Sequence, residues 1–288
     1  MALNDHPASP CSVQPGDLCA RVAPLTDVGR SRDHNEDNHL ILPLDGGSAP
    51  QSGEVSTLSI KEPGLLLAIA DGMGGHLGGK VASSKCVENL AREIVSKLHD
   101  SGTGHADLPA ALRQAVEATH QAVFAFAREY AHQQTMGTTL TAALVGGARA
   151  HVAQVGDSRA YLFRDGNLIL LTEDQTIGNQ LVKRGADPSL LSEQVKECLT
   201  QAVGAQREIN VVMSDVDLEP QDLLLLCSDG LYKVVSPEEF VDILELEIPL
   251  AEKASHLIAR ANEHGGPDNI TVILAEICPV VAAKEITA

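Results

Sequence analysis

Four aspartates stand where an apolar run meets a turn, and their type and spacing suit metal chemistry. Asp71 and Asp229 each follow an apolar run and precede a glycine, in LLLAIADGMGG and LLLLCSDGLY. Asp37 and Asp268 each precede an apolar run, in NEDNHLIL and PDNITVIL. A carboxylate beside a buried strand stays charged only where a cation or strong donors balance it. Because oxygen ligands suit hard divalent cations such as Mg²⁺ or Mn²⁺, the pattern predicts one multi-carboxylate metal site.

The apolar runs are predicted to be short buried strands that position these aspartates. The runs at 65–70 and 223–227 end at an aspartate, and those at 39–42 and 270–275 begin just after one. Neighbouring strands of an antiparallel sheet run in opposite directions, so one such sheet would bring all four aspartates to the same edge. The alternative is that each aspartate forms a turn, since Asp-Gly is a common turn dipeptide. That interpretation suits any single aspartate but explains the set of four poorly.

Composition and charge restrict the classes of function. The chain has 288 residues, of which 44% are hydrophobic and 2% aromatic, so it can bury an aliphatic core. Its net charge is −18, and nucleic-acid binding rests on Lys and Arg that neutralise phosphates. The same acidity disfavours an anionic membrane surface. We therefore expect no nucleic-acid partner and no membrane partner.

The cysteines and the N-terminal segment indicate a cytoplasmic protein. None of the six cysteines is paired as C-x-x-C, and Cys86 and Cys227 lie within apolar periodic segments. This usage fits reduced, buried thiols better than a disulfide framework. The first residues lack the basic and apolar parts of a signal peptide, and no apolar run approaches the roughly 20 residues of a membrane span.

The chain is expected to form one α+β layered domain at 18–278, with tails at 1–17 and 279–288. Groups of strands with helix pairs between and after them indicate this class. The predicted helices span 78–98, 107–132, 237–246 and 250–263, and the predicted strands include 18–28, 137–171, 209–217 and 222–228. The sequence further predicts an exposed loop or hairpin at 44–63 and a mobile flap at about 173–200.

Six motifs occur in an order that resembles the metal-dependent protein phosphatases, the PPM family or type 2C, in its bacterial branch. They are GRSRDHNED, DGMGGH, MGTT, GDSRAYL, SDGLY and GGPDNITVI, and the match as a whole runs from about residue 20 to 277. Each motif alone is weak, whereas six in order are highly specific. The resemblance implies an α–β–β–α sandwich, in which two stacked antiparallel sheets are flanked by helix pairs and carry a two-metal centre at one end.

The resemblance also implies roles for individual residues. Two Mn²⁺ or Mg²⁺ ions per subunit would be expected, and the hydroxide that bridges them would attack the phosphorus. The implied ligands and catalytic groups are Asp71 as the bridge, the Gly72 carbonyl on the first metal, Asp37, Asp229 and Asp268 on the second, Glu36 through a water, and Arg32 on the substrate phosphate.

The resemblance also raises a third metal site. Asp157, in VGDSR, is a candidate ligand for it, and a local turn or ion pair is the alternative for this residue. The usual second ligand lies four residues after the aspartate of SDG, where this chain has Lys233. Since an ammonium repels a cation, we expect this third site to be weak or absent.

The implied function is hydrolysis of phosphoserine and phosphothreonine in proteins. The partners would be phosphorylated proteins, including Ser/Thr kinases and their substrates. Two alternatives remain, a phosphatase of small phosphomonoesters and a non-catalytic pseudo-phosphatase that binds a partner. The completeness of the implied ligand set disfavours the pseudo-phosphatase.

Overall fold

The computed structural model describes residues 18–74, 78–100, 107–130 and 136–280. The predicted tail at 1–17 and all but the first two residues of the tail predicted at 279–288 lie outside this part of the chain. The division into one domain and two tails therefore stays a prediction.

The described residues form strands and helices whose bounds follow the predicted pattern closely. The strands are β1 (Leu18–Asp27), β2 (Asn38–Pro43), β3 (Ser56–Ser59), β4 (Leu65–Ala70), β5 (Gly72–Met73), β6 (Gly137–Thr138), β7 (Leu140–Gly146), β8 (Arg149–Val155), β9 (Arg159–Arg164), β10 (Asn167–Leu170), β11 (Val212–Asp217), β12 (Leu223–Cys227) and β13 (Ile270–Pro279). The helices are α1 (Gly78–Asp100), α2 (Leu108–Tyr130), α3 (Ile177–Lys183), α4 (Glu193–Glu197), α5 (Asp229–Tyr232), α6 (Pro237–Leu244) and α7 (Leu250–Glu263).

Two antiparallel sheets make up the centre of the molecule. One has the strand order β10-β9-β12-β13-β1-β3, and the other has the order β11-β8-β7-β4-β2. A further pair, β5-β6, stands apart from both. The expectation that one sheet carries all four aspartates is therefore wrong, because β2 and β4 belong to one sheet and β12 and β13 to the other.

The buried apolar side chains of the described residues form three large clusters and one small one, and the three large clusters lie at the interfaces between four layers. Both faces of β4 are buried, so its alternate residues serve two interfaces. Leu65, Leu67 and Ile69 pack between the sheets, whereas Leu66, Ala68 and Ala70 pack against α1 and α2. On the other sheet, Leu225, Val272 and Leu274 pack against α6 and α7. The α–β–β–α sandwich is confirmed.

Two segments differ from expectation or add to it. The segment 44–63 is not wholly an exposed loop or hairpin, because β3 pairs with β1 at the edge of the larger sheet and Leu58 and Ile60 are buried. The segment predicted as a flap holds α3, a 3₁₀ turn at Pro188–Leu190, and α4. None of the described helices has the length and apolar content that a membrane crossing requires.

Candidate metal centre and active site

A cavity of about 510 Å³ lies where the two sheets bring their aspartate-bearing ends together. Each sheet supplies a neighbouring pair. Asp37 and Asp71 adjoin the paired residues Asn38 and Ala70 of β2 and β4, and Asp229 and Asp268 lie at the adjacent ends of β12 and β13. The predicted site residues that line the cavity are Arg32, Glu36, Asp71, Gly72, Asp157, Asp229 and Asp268, and Lys233 lines it as well. Asp37 is the one predicted site residue absent from this lining, and it is only 7% exposed.

Hydrogen bonds between the Asp71 backbone and two threonines fix the position of this residue, and its carboxylate takes no part in them. Its N–H donates to Thr139 Oγ1 over 3.0 Å, and its carbonyl accepts from Thr138 Oγ1 and from the Thr139 N–H, each over 2.8 Å. Burial, with added repulsion from Asp37 and Asp229, raises the pKa of the Asp71 carboxyl well above its usual value. Such a group binds either a proton or a cation at neutral pH.

Asp37 has one oxygen that is satisfied and one that is not. Its Oδ2 accepts from Ser228 Oγ and from Thr271 Oγ1, each over 2.7 Å. Its Oδ1 is buried without a hydrogen-bond partner. Burial raises the pKa of Asp37 to about 7 against the opposing effect of the two hydroxyls, and the charges of Asp229 and Asp268 raise it further. The two hydroxyls thus fix the carboxylate with its free oxygen available as a ligand.

Asp229 and Asp268 each share an oxygen with a side-chain cation. Lys233 Nζ lies 2.7 Å from Asp229 Oδ2, and Arg32 donates to Asp268 Oδ2 over 2.7 Å. Asp229 Oδ1 is buried and without a partner, as Asp37 Oδ1 is. Among the described residues, no three acidic, His or Cys side chains are gathered closely enough to form a ready-made metal cage. The side chains of Arg32 and Lys233 balance part of the negative charge around the cavity.

Asn269 ties the loop that carries Arg32 and Glu36 to the end of β13. Its Oδ1 accepts from the Glu36 N–H over 2.8 Å, and its Nδ2 donates to the carbonyls of Val28 and His34 over 2.8 and 3.0 Å. Each hydrogen bond contributes modestly, yet the three join parts of the chain that are far apart in sequence, satisfy a buried amide and fix the path of the loop.

Gly72 is required by the closeness of three backbone segments. A Cβ on this residue would lie 2.2 Å from the backbone oxygen of Gly79 and 2.7 Å from that of Glu36. The loop before β2, the turn after β4 and the start of α1 thus meet at one point. Any side chain there would push apart the segments that carry the carboxylates.

Asp157 lies in the same cavity but has different neighbours. It is 4% exposed, and burial raises its pKa to about 7, with repulsion from Asp229 acting in the same direction. Lys233 opposes this rise. Burial tends to lower the pKa of Lys233 itself, but attraction to Asp229 and Asp157 outweighs burial and raises it.

The segment predicted as a flap borders this cavity. Glu197 and Leu199 contribute to its lining, and Glu197 Oε1 lies 3.6 Å from Lys233 Nζ. At the base of the segment, Asp174 accepts two hydrogen bonds from Arg159, whose guanidinium lies 3.7 Å from the ring centre of Tyr232. These contacts connect the segment to α5, directly beside Asp229.

Sequence reasoning missed Ser228, Thr271 and Asn269. Two of them adjoin a predicted ligand along the chain, and Thr271 follows Asp268 by three residues. Their polar side chains sit beside buried apolar strands, which is the same signal that identified the aspartates. That signal could have found them as partners of the carboxylates.

The residues fit a hard divalent cation. The donors around the cavity are carboxylate oxygens, and two of these oxygens are buried without a hydrogen-bond partner. Uncompensated buried carboxylate oxygens are costly unless a cation or proton meets them. Oxygen donors of this type are those that Mg²⁺ and Mn²⁺ bind.

Comparison with known proteins identifies the family. A family model described as protein phosphatase 2C matches residues 54–263. The serine/threonine phosphatase Stp of Listeria welshimeri is 35% identical over 256 residues, which cover 87% of this chain and 93% of that protein. This chain belongs to the protein phosphatase 2C family.

Solved structures of the protein phosphatase 2C family share the fold. The Mycobacterium tuberculosis serine/threonine phosphatase PstP/Ppp superposes with a TM-score of 0.73 and 35% identity, over 90% of this chain and 98% of that one. A structure of the PstP catalytic domain in complex with two manganese ions gives 0.71 and 36%, over 91% and 99%. The resemblance seen in the six motifs is thereby confirmed.

Proposed function

We propose that this member of the protein phosphatase 2C family is a metal-dependent enzyme that hydrolyses phosphoserine and phosphothreonine in proteins. The observation that carries the proposal is the pair of buried, unpartnered oxygens on Asp37 and Asp229, one from each sheet, beside a single cavity. The names of the relatives, serine/threonine phosphatases, support the substrate class.

We assign the metal ligands from the resemblance and from their positions around the cavity. Asp71 would bridge two divalent cations, and Asp37, Asp229 and Asp268 would hold one of them. The remaining contacts would come from the Gly72 carbonyl on the other cation and from Glu36 through a water. Mn²⁺ is the metal named for the PstP structure, and Mg²⁺ is a second candidate with the same ligand preference.

The protein's own groups would prepare the phosphate for attack. Two bound cations would offset the charge of a phosphomonoester dianion and acidify water in the cavity. Arg32 is exposed at the rim and uses one N–H on Asp268, so its guanidinium can turn toward phosphate oxygens and bind them as a fork. Asn269 keeps the Arg32 loop in register with the carboxylates. In this arrangement no covalent phosphoenzyme is needed.

Two alternatives make different demands on the cavity. A pseudo-phosphatase would have no need for buried oxygens without partners, since each destabilises the fold unless it binds something. A phosphatase of small phosphomonoesters would need the same metal centre but no surrounding surface that binds a protein substrate. The relatives are named serine/threonine phosphatases, which favours a protein substrate.

The setting of the reaction is also proposed. The acidic chain and the usage of its cysteines favour a cytoplasmic enzyme that opposes Ser/Thr kinases. Its partners would be phosphorylated kinases and their substrates.

Turnover assays with matched variants test the proposal. Phosphate release from a phosphothreonine peptide and from p-nitrophenyl phosphate should require Mn²⁺ or Mg²⁺ and should stop in EDTA. Asp229→Ala should abolish it. Asp215→Ala removes an aspartate that contacts His151 outside the cavity, so this control should retain activity. Turnover of p-nitrophenyl phosphate alone would favour the small-ester alternative, and a folded but inactive protein in Mn²⁺ would reject the enzyme.

A further inference from the structure

Two cationic side chains, Arg32 and Lys233, line the cavity, and the proposed reaction uses only Arg32. Arg32 pairs with Asp268 at one side and is assigned to the substrate phosphate. Lys233 pairs with Asp229 at the other side. An amine placed among carboxylates that are proposed to hold divalent cations competes with those cations, so its position requires an explanation.

The chain fixes Lys233 at this point through the short helix α5. Lys233 follows Asp229 by four residues, and its N–H donates to the Asp229 carbonyl over 3.1 Å. The spacing puts both side chains on one face of the turn. The side chain of Lys233 is 29% exposed and that of Asp229 is 15% exposed, so this pair is far less accessible to water than a surface ion pair.

Asp229 pairs directly with Lys233, and Asp157 lines the same cavity without a direct ion pair to Lys233. Asp157 is 4% exposed. The contact with Glu197 is weaker, because its distance is 3.6 Å and the Glu197 side chain is 50% exposed. Exposed pairs of that kind contribute little. The direct pairing of the ammonium is therefore strongest with Asp229, beside the buried Asp157.

By resemblance, Asp157 is a candidate ligand of a third metal, but the residues around it do not fit that role. A cation between Asp157 and Asp229 would stand beside a fixed ammonium. The ammonium and the added cation carry like charges, and their repulsion is stronger in a partly buried cavity than in bulk water. Lysine also offers no ligand atom while it is protonated.

We propose that the Lys233 ammonium takes the place of a third divalent cation between Asp229 and Asp157, so that the centre saturates with two metals. The inference rests on the proposed two-metal centre. Lys233 is then a positioning residue, which orients Asp229 and neutralises Asp157 without touching the reacting atoms.

Counting bound Mn²⁺ tests the proposal without relying on activity. Lys233→Asp supplies a carboxylate in place of the amine, and Lys233→Met keeps the length of the side chain but removes its charge. Lys85→Asp makes the same charge change on the exposed face of α1, where Lys85 pairs with Glu88, and serves as the matched control. Bound Mn²⁺ would be measured by electron paramagnetic resonance and equilibrium dialysis, and folding by thermal denaturation.

The wild type and Lys85→Asp should each bind two Mn²⁺ ions per chain. Lys233→Asp should bind one more, and Lys233→Met should bind one more with at least about tenfold lower affinity than Lys233→Asp, because methionine supplies no carboxylate. Two ions in both folded Lys233 variants, or three in the wild type, would overturn the inference. A wild type that binds no Mn²⁺ would instead reject the proposed metal centre itself, so the two failures are distinguishable.

Discussion

Replacing Asp37 with asparagine should stabilise the protein in EDTA at pH 8, even though it should weaken the metal centre. Asp37 is 7% exposed, and its Oδ1 is buried without a partner. An asparagine has no charge to desolvate, and its amide oxygen can still accept from Ser228 and Thr271. Its NH₂ group would face the carboxylates of Asp229 and Asp268 and attract them.

The magnitude follows from the raised pKa. Burial moves the pKa of Asp37 from 3.8 to about 7, and one pKa unit corresponds to about 1.4 kcal/mol. The folded state keeps a proton that the unfolded state loses above pH 3.8, so the wild type loses stability as pH rises from about 4 to about 7. The advantage of Asp37→Asn should therefore grow over that range and reach on the order of 2–4 kcal/mol above it.

Urea denaturation between pH 5 and pH 8, in EDTA and in Mn²⁺, measures the effect. In Mn²⁺ the order should reverse, because bound metal stabilises only the protein that binds it. Asp222→Asn is the matched control. Asp222 is also buried, but it accepts two hydrogen bonds from Arg164, so its loss should destabilise the protein in both buffers. An Asp37→Asn variant no more stable than the wild type in EDTA at pH 8 would refute the reasoning.

Three further predictions concern other residues. The double variant Ser228→Ala, Thr271→Val should lose about 10–100-fold in Mn²⁺ affinity by calorimetry, because both hydroxyls orient Asp37; an unchanged affinity would argue against that role. Arg32→Ala should lower kcat/KM for a phosphothreonine peptide by about 10–100-fold without weakening Mn²⁺ binding, and a parallel loss of metal would show that Arg32 is structural instead. Hydrogen bonds from the Ser236 backbone, His264 and Arg260 lower the pKa of Glu239 to about 2, so its stabilising effect is present above about pH 4.5 and lost toward pH 2; Glu239→Gln should lower the Tm at pH 7 but not at pH 2.

The strand ends were predictable because they follow from local chemistry. A continuous apolar run of five or six residues that stops at Asp-Gly has few alternatives to a buried strand, and β4 and β12 occupy 65–70 and 223–227 as expected. The helices α1 and α7 were visible for the same reason, since an apolar stripe with the helical period must face a core.

The division into two sheets was not predictable from these runs. A buried strand has both faces covered whichever sheet it joins, so its sequence does not say which neighbour it pairs with. The edge strand β3 escaped prediction because its surroundings are rich in Gly, Pro and Ser, and few of its neighbours along the chain are buried beside Leu58 and Ile60. The sheet that each buried strand joins and the pairing of β3 with β1 both depend on contacts between residues far apart in the chain.

The ion pairs at the site could not be predicted from the sequence either. Lys233 could be identified as an obstacle to a third metal, but its contact with Asp229 depends on the turn formed by α5. Likewise, Arg32 was assigned to a phosphate, whereas its pairing with Asp268 emerged only from the positions of β13 and the loop before β2.

The location of bound manganese tests the central claim most directly. Anomalous diffraction from crystals grown with Mn²⁺ should show two peaks in the cavity, both in contact with the Asp71 carboxylate, and one of them also in contact with Asp37, Asp229 and Asp268. That result would place one centre across the ends of both sheets. Manganese bound elsewhere, or bound without Asp71, would contradict the account.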